Sequence, residues 1–216
     1  MTTPSPMPLG LRQRKKQQTR ELIAESARRL FTERGFEHVT VAEVASSVDV
    51  SEATVFNHFP TKEDLVYWRM DAFEDELIAA ISERRPGESL LTAFGRFVLT
   101  PRGLLTQTDS ATIERLAGLT RMITESAALL TREREIFERY TATLATLIAR
   151  EAGSSASDVS PWVAANALMG VHRALVNFTR AQILAGTRNP TLARIVRNQG
   201  RRALATLEQG LDKYGR

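Results

Sequence analysis

The sequence contains no cysteine. That excludes a disulfide framework and any zinc site built on thiolates. Histidine is scarce as well: His38, His58 and His172 are the only three, and none stands at metal-ligand spacing from another. Long apolar runs are missing. No stretch approaches the roughly 20 residues that cross a bilayer, so no membrane contact is expected. The opening "MTTPSPMPLG" has no apolar h-region; no secretory signal is expected, and a cytoplasmic location is the expectation. There is no nucleophile elbow, P-loop or dinucleotide fingerprint. These absences argue against an enzyme and call for no cofactor and no metal.

What is present is a chain of 216 residues, 43% hydrophobic, enough to bury a core. Its formal net charge is +4 and its pI about 9.8, a modest excess that suits a polyanionic partner. Residues 1–11, rich in Pro and Thr, read as a disordered tail. The next stretch, "RQRKKQQTR", holds Arg12, Arg14, Lys15, Lys16 and Arg20 with no acid among them. It is either a solvated helix start or an arm that lies on phosphates.

From Thr19 the apolar spacing becomes helical, with Ile23, Ala27, Leu30 and Phe31 on one stripe. Gly35 ends this helix at a left-handed position, and Phe36 is placed to pack back on its last turn. The next three helix starts share one grammar. Thr40 and Glu43 form a capping box, with Val39 and Val44 as its hydrophobic staple. Ser51 caps the following helix between Val50 and Val55. Thr61 caps the one after, with Asp64 at the box position. Two short helices joined by a tight turn at "DVS" are the helix-turn-helix plan.

The helix over Ser51–His58 is too short to stand alone. Val55 and Phe59 hold it against its neighbours, which leaves Glu52, Ala53, Phe56 and Asn57 facing out. Short side chains at Ala53 and Thr54 allow close approach to base edges. Asn57 pairs naturally with adenine, and Phe56 with a sugar or a thymine methyl. Lys62 sits at the positive end of a helix dipole, where a cation is unfavourable unless a phosphate rests there. Thr40 and Ser51 also stand at helix starts, where free N–H groups bind anions, and His58 lies beside them. Singly, each of these reads equally as ordinary capping or a solvated charge.

The stretch from Thr19 to Leu65 resembles the N-terminal DNA-binding domain of the TetR family of bacterial transcriptional regulators. The matching pieces are Thr19-Arg20, Ala27, Leu30-Phe31, Gly35-Phe36, Thr40-Val41, Val44-Ala45, Val50-Ser51 and His58-Phe59, followed by Lys62-Glu63. The resemblance implies an all-α protein: an N-terminal three-helix helix-turn-helix domain plus a larger helical bundle for ligand binding and dimerisation. It implies a homodimer on double-stranded DNA. By position, Thr40, Phe56, His58 and Lys62 fall where the family touches phosphates, and Glu52, Ala53 and Asn57 where it reads bases. Arg14, Lys15, Lys16, Ser51 and Thr54 complete the candidate DNA-binding set. Two departures stand out. Asp49 occupies a turn position that is commonly Gly in the family, and Phe56 one that is often Tyr, so a hydroxyl bond to phosphate is lost. The region after Pro86 more distantly resembles regulators whose ligand domains take acyl-CoA-like molecules.

The expected organisation is a tail over 1–11, the DNA-binding domain over 12–62, and an effector-binding and dimerisation domain over 63–216. One long helix is expected from Lys62 to about Arg85, then helices over Glu88–Thr100, from Asp109, from Thr131 to Ala152, over Pro161–Ala185, and from Pro190 to about Tyr214. The helix after Pro161 is apolar on nearly all sides and rich in small residues. Near 161–185 and 190–214 the last two helices are expected to pair with their copies in a second subunit, a four-helix interface, with plain intrachain core as the alternative. Trp68, Phe94, Phe97, Met122, Tyr140, His172 and Asn177 are candidates to line a pocket for a small, mostly apolar effector, packed core being the plainer reading of each aromatic. Arg173 and Arg180 are placed to face an anionic ligand. The function expected is an effector-released repressor on a palindromic operator. The alternative is a helical lipid- or acyl-binding protein with no DNA role.

Overall fold

The computed structural model describes residues 10–102, 106 and 109–210. Among the described residues there are nine α-helices and no strand, the all-α architecture expected. The chain divides into two compact units, Met1–Trp68 and Arg69–Arg216.

The first unit holds α1 (Leu11–Arg34), α2 (Val41–Ser47), α3 (Glu52–His58) and a single 3-10 turn over Glu63–Leu65. Helix α1 begins well before Thr19, so the basic run lies on a helix and not on an arm. Ile23, Ala24, Ala27 and Phe31 of α1 close a core with Val44, Ala45, Val55, Phe59 and Leu65, each at most 2% exposed. Phe36 meets Phe31 edge-on at 5.1 Å, the return contact expected. Gly35 adopts φ +84° and ψ 147°. That is the glycine-only extended region rather than the left-handed helical one.

The second unit holds α4 (Met70–Ser82), α5 (Leu90–Val98), α6 (Ser110–Glu125), α7 (Ala127–Ala152), α8 (Ser160–Leu184) and α9 (Thr191–Gln209). The single helix expected from Lys62 to Arg85 is in fact two pieces, the 3-10 turn and α4. Leu65 and Tyr67 are both buried. Residues 66–69, between that turn and α4, are not helical. Helix α7 starts at Ala127 rather than Thr131, because Ser126 caps it by accepting a bond from the Leu129 N–H at 3.4 Å. The expected end of the last helix at Tyr214 lies outside the described residues.

Helix α8 is not buried all round. Ala165, Leu168, Met169 and Leu175 are covered, while Trp162 and Val163 remain 51% and 63% exposed. Helices α7, α9, α6 and α5 pack against it. Helix α9 locks onto α5 by a reciprocal exchange. A Cβ at Gly95 of α5 would come within 2.8 Å of Leu204 of α9, and a Cβ at Gly200 of α9 would collide with Leu99 at the end of α5. Each leucine fills the space that a glycine leaves.

Candidate nucleic-acid interface

Helix α3 has one buried and one outward face. Val55 and Phe59 are 1% exposed, whereas Phe56 is 47% exposed. Glu52, Ala53 and Asn57 are exposed beside it, and Thr54 is half-buried. The turn that aims α3 rests on Asp49, at φ +55°. The Val50 N–H bonds the Ala45 carbonyl at 3.1 Å and the Asp49 N–H bonds the Ser46 carbonyl at 3.3 Å. This is a complete Schellman ending for α2, with aspartate in the left-handed place where glycine is usual.

The helix starts are capped as their sequence dictates. The Thr40 hydroxyl accepts from the Glu43 N–H at 3.2 Å, and the Thr40 N–H donates to Glu43 Oε2 at 2.8 Å. Arg34 Nη2 holds the other carboxylate oxygen at 2.6 Å. The Thr40 backbone bond, then Arg34, then the Thr40 hydroxyl hold the Glu43 carboxyl down to about 2. Ser51 Oγ accepts from the Thr54 N–H at 3.1 Å. Thr61 and Asp64 exchange bonds of 3.0 and 3.3 Å.

Lys62 is engaged more closely than its sequence position indicates. Its ammonium donates to the Phe36 carbonyl at 2.6 Å and lies 4.2 Å from the Phe36 ring centroid. A 3-10 turn follows it in place of a long helix, so the expected dipole penalty shrinks, and two of its three N–H donors remain for another acceptor. His58 is half-buried, and its Nδ1 is buried without a partner. Burial first, then the positive charges of Lys16 and Arg20, hold its imidazole below the ordinary range. Arg12, Lys16 and Arg20 recur every four residues along α1, so they form one ridge. Two of them reach the C-terminal end of α3. Arg14 and Lys15 are exposed on the same helix. Arg34 had no signal in the sequence and shows only in its pairing with Glu43.

In the second unit the ligand-lining candidates scatter. Phe97, Tyr140 and His172 come together around Phe73, which lies 5.2, 6.0 and 4.9 Å from their rings. Phe137 meets His172 edge-on at 5.5 Å. The Tyr140 hydroxyl donates to the Met70 carbonyl. Burial, and then the charge of Arg102, bring His172 down to about 4, so it is neutral at pH 7. Phe94 is fully buried, Met122 is half-buried on α6, and Asn177 is exposed on α8. Trp68 closes the first unit. Arg180 does not face a ligand: Glu133 of α7 holds it in a bidentate pair, 2.8 Å at one arm, with side chains only 13% and 10% exposed. A separate cleft of about 550 Å³ lies between α6 and the α8–α9 turn, and none of the candidates lines it.

Residues 23–67 match the family described as bacterial regulatory proteins, tetR family. The chain is 31% identical over 163 residues to the HTH-type transcriptional regulator TcmR of Streptomyces glaucescens, a match covering 73% of this chain and 70% of that one. It is 33% identical over 136 residues to the nucleoid occlusion factor SlmA of Escherichia coli, covering 60% of this chain and 65% of that one, just under two thirds of its length. Among solved structures, the fatty acid degradation regulator FadR of Bacillus halodurans shares the fold, with a TM-score of 0.52 at 20% identity over 86% of this chain and 94% of that one.

Proposed function

The chain belongs to the TetR family of bacterial regulatory proteins and is a transcriptional regulator of that family, and from that premise we propose a cytoplasmic, ligand-responsive repressor that binds a palindromic operator as a homodimer. Residues 12–62 carry DNA binding and 63–216 carry effector binding and dimerisation. The observation that carries the reading is the outward face of α3, where Phe56 and Asn57 stand exposed beside Glu52 and Ala53 while Val55 and Phe59 anchor the helix. Asn57, Glu52 and Ala53 read base edges. Thr40, Ser51, Phe56, His58 and Lys62 seat the phosphate backbone, with Arg14, Lys15 and Lys16 beside them, and the short Thr54 lets α3 approach base edges. The uncovered Trp162 and Val163 of α8 support a partner subunit there. A small effector releases DNA by preferring the conformation that does not bind it, a coupling of about 1–3 kcal/mol, and DNA must then weaken the effector by the same factor.

Selection of bound sequences from random duplexes tests this. The expected consensus has two-fold symmetry with half-site centres roughly 34–36 Å apart. Binding without a dyad removes the homodimeric operator, and no binding at all removes the regulator.

A further inference from the structure

We propose that the cleft between α6 and the α8–α9 turn binds an amphipathic organic monoanion, an apolar body with one carboxylate. Its volume of about 550 Å³ lies within the roughly 300–1,000 Å³ of small-ligand sites. Its apolar floor is made by Ile113 and Leu116 of α6, Ile183 at the end of α8 and Leu192 at the start of α9. Ile183 and Leu192 are buried, so the floor is fixed by core packing.

The rim carries charge. Arg121 and Arg188 line the cleft and are exposed. Neither has an ion-pair partner among the described residues. In the same unit Arg84, Arg96, Arg139 and Arg180 each face a glutamate. A free guanidinium is a ready seat for a carboxylate, which it holds with two parallel bonds. Glu114 stands on the same lip, so the rim sums to one positive charge and suits a monoanion over a dianion. Along α6, Ile113, Ala117 and Arg121 follow one another at spacings of four. One side of the helix therefore passes from apolar to positive and orders the ligand with its body inward and its head at Arg121.

As the seat of the effector, this site rests on the regulator reading above; as a binding site it is tested separately. Decanoate and decanol are titrated calorimetrically into the full chain. Decanoate is expected to saturate one site per chain and to bind about tenfold more tightly than the alcohol. The paired change Arg121→Gln and Arg188→Gln should abolish that preference, and Ala117→Trp, which fills the cleft, should abolish binding. If Ala117→Trp melts early, the two exposed arginines decide alone. Equal affinity for acid and alcohol, unchanged affinity in the arginine pair, or no binding at millimolar decanoate overturns the proposal. Each titration is repeated with a selected duplex. Decanoate binding without DNA binding keeps the site and removes the regulator reading; DNA binding without decanoate binding does the reverse.

Discussion

The two units of this chain weight local and long-range partners differently. In the first, the starts of the short helices find polar partners three residues away, Thr40 with Glu43, Ser51 with Thr54 and Thr61 with Asp64, and a few longer bonds, Ser26 with Ser47 and Lys62 with the Phe36 carbonyl, tie them together. In the second, polar groups reach across the fold. Glu133 meets Arg180, Glu74 meets Arg139 and Thr143, and Tyr140 meets the Met70 carbonyl. Local partnering leaves the first unit with two seven-residue helices, α2 and α3, a small core and an outward face on α3. Long-range partnering gives the second unit a deep interior in which aromatic and ionic groups satisfy one another. The candidate contact residues of the first unit are therefore outward, while Phe94, Phe97 and Tyr140 of the second are buried.

Removing one partner on each side should separate the two regimes most clearly. Glu133→Ala strands a nearly buried guanidinium and should cost about 3–5 kcal/mol of stability. Ser51→Ala removes a helix cap and should cost about 1 kcal/mol. Denaturant melts followed separately for each unit measure both, and equal losses would erase the distinction. The histidines draw the same contrast with pH. His172 folds at about 4 against 6.5, so the unfolded chain binds the extra proton between those values. Its contribution is complete above pH 6.5 and falls by roughly 3 kcal/mol as pH drops toward 4. His58 is shifted in the same direction from the half-exposed end of α3. The acid limb should thus flatten far more in His172→Gln than in His58→Gln.

Within the first unit, the outward face divides again. Asn57→Ala should relax preference at one base pair by about 1–3 kcal/mol. Lys62→Ala should weaken all duplexes alike and lower the salt slope by roughly one. It should also lower the melting point of that unit, because the Phe36 carbonyl loses its donor. Indistinguishable binding profiles for the two variants would sink the division into reading and seating residues. The smallest effect is expected at the turn. Asp49→Gly relieves a left-handed aspartate and should stabilise by a few tenths of a kcal/mol, seen as a shift in denaturant midpoint with an unchanged slope.

This contrast also sets what was legible in the sequence. The caps, the staple valines and the turn at Asp49 are local patterns, and each was readable from a few neighbouring residues. So was the inward pairing of Val55 with Phe59. The break after Leu65 was not, since no glycine or proline marks it. The start of α7 was missed for the same reason: Ser126 is one serine among polar neighbours until its bond to the Leu129 N–H is seen. The Glu133–Arg180 pair spans 47 residues, and nothing in either residue's surroundings announces the other. Aromatic type suggested Phe94, Phe97 and Tyr140 as pocket lining, and all three are buried. The cleft beside α6 was illegible because its walls come from three helices and a turn, five residues from α6, two from α8, four from the turn and one from α9.

The exchange between α5 and α9 works as a two-letter code read in opposite directions. Along one helix the letters run Gly95 then Leu99; along the other, Leu204 faces the glycine and Gly200 faces the leucine. Sliding α9 by one turn, about 5.4 Å, would set leucine against leucine or glycine against glycine, a collision in one case and a void in the other. The match exists at one offset and in one orientation. Among sequences that share this packing, a change at Gly95 should be inherited together with a change at Leu204, and a change at Gly200 with one at Leu99.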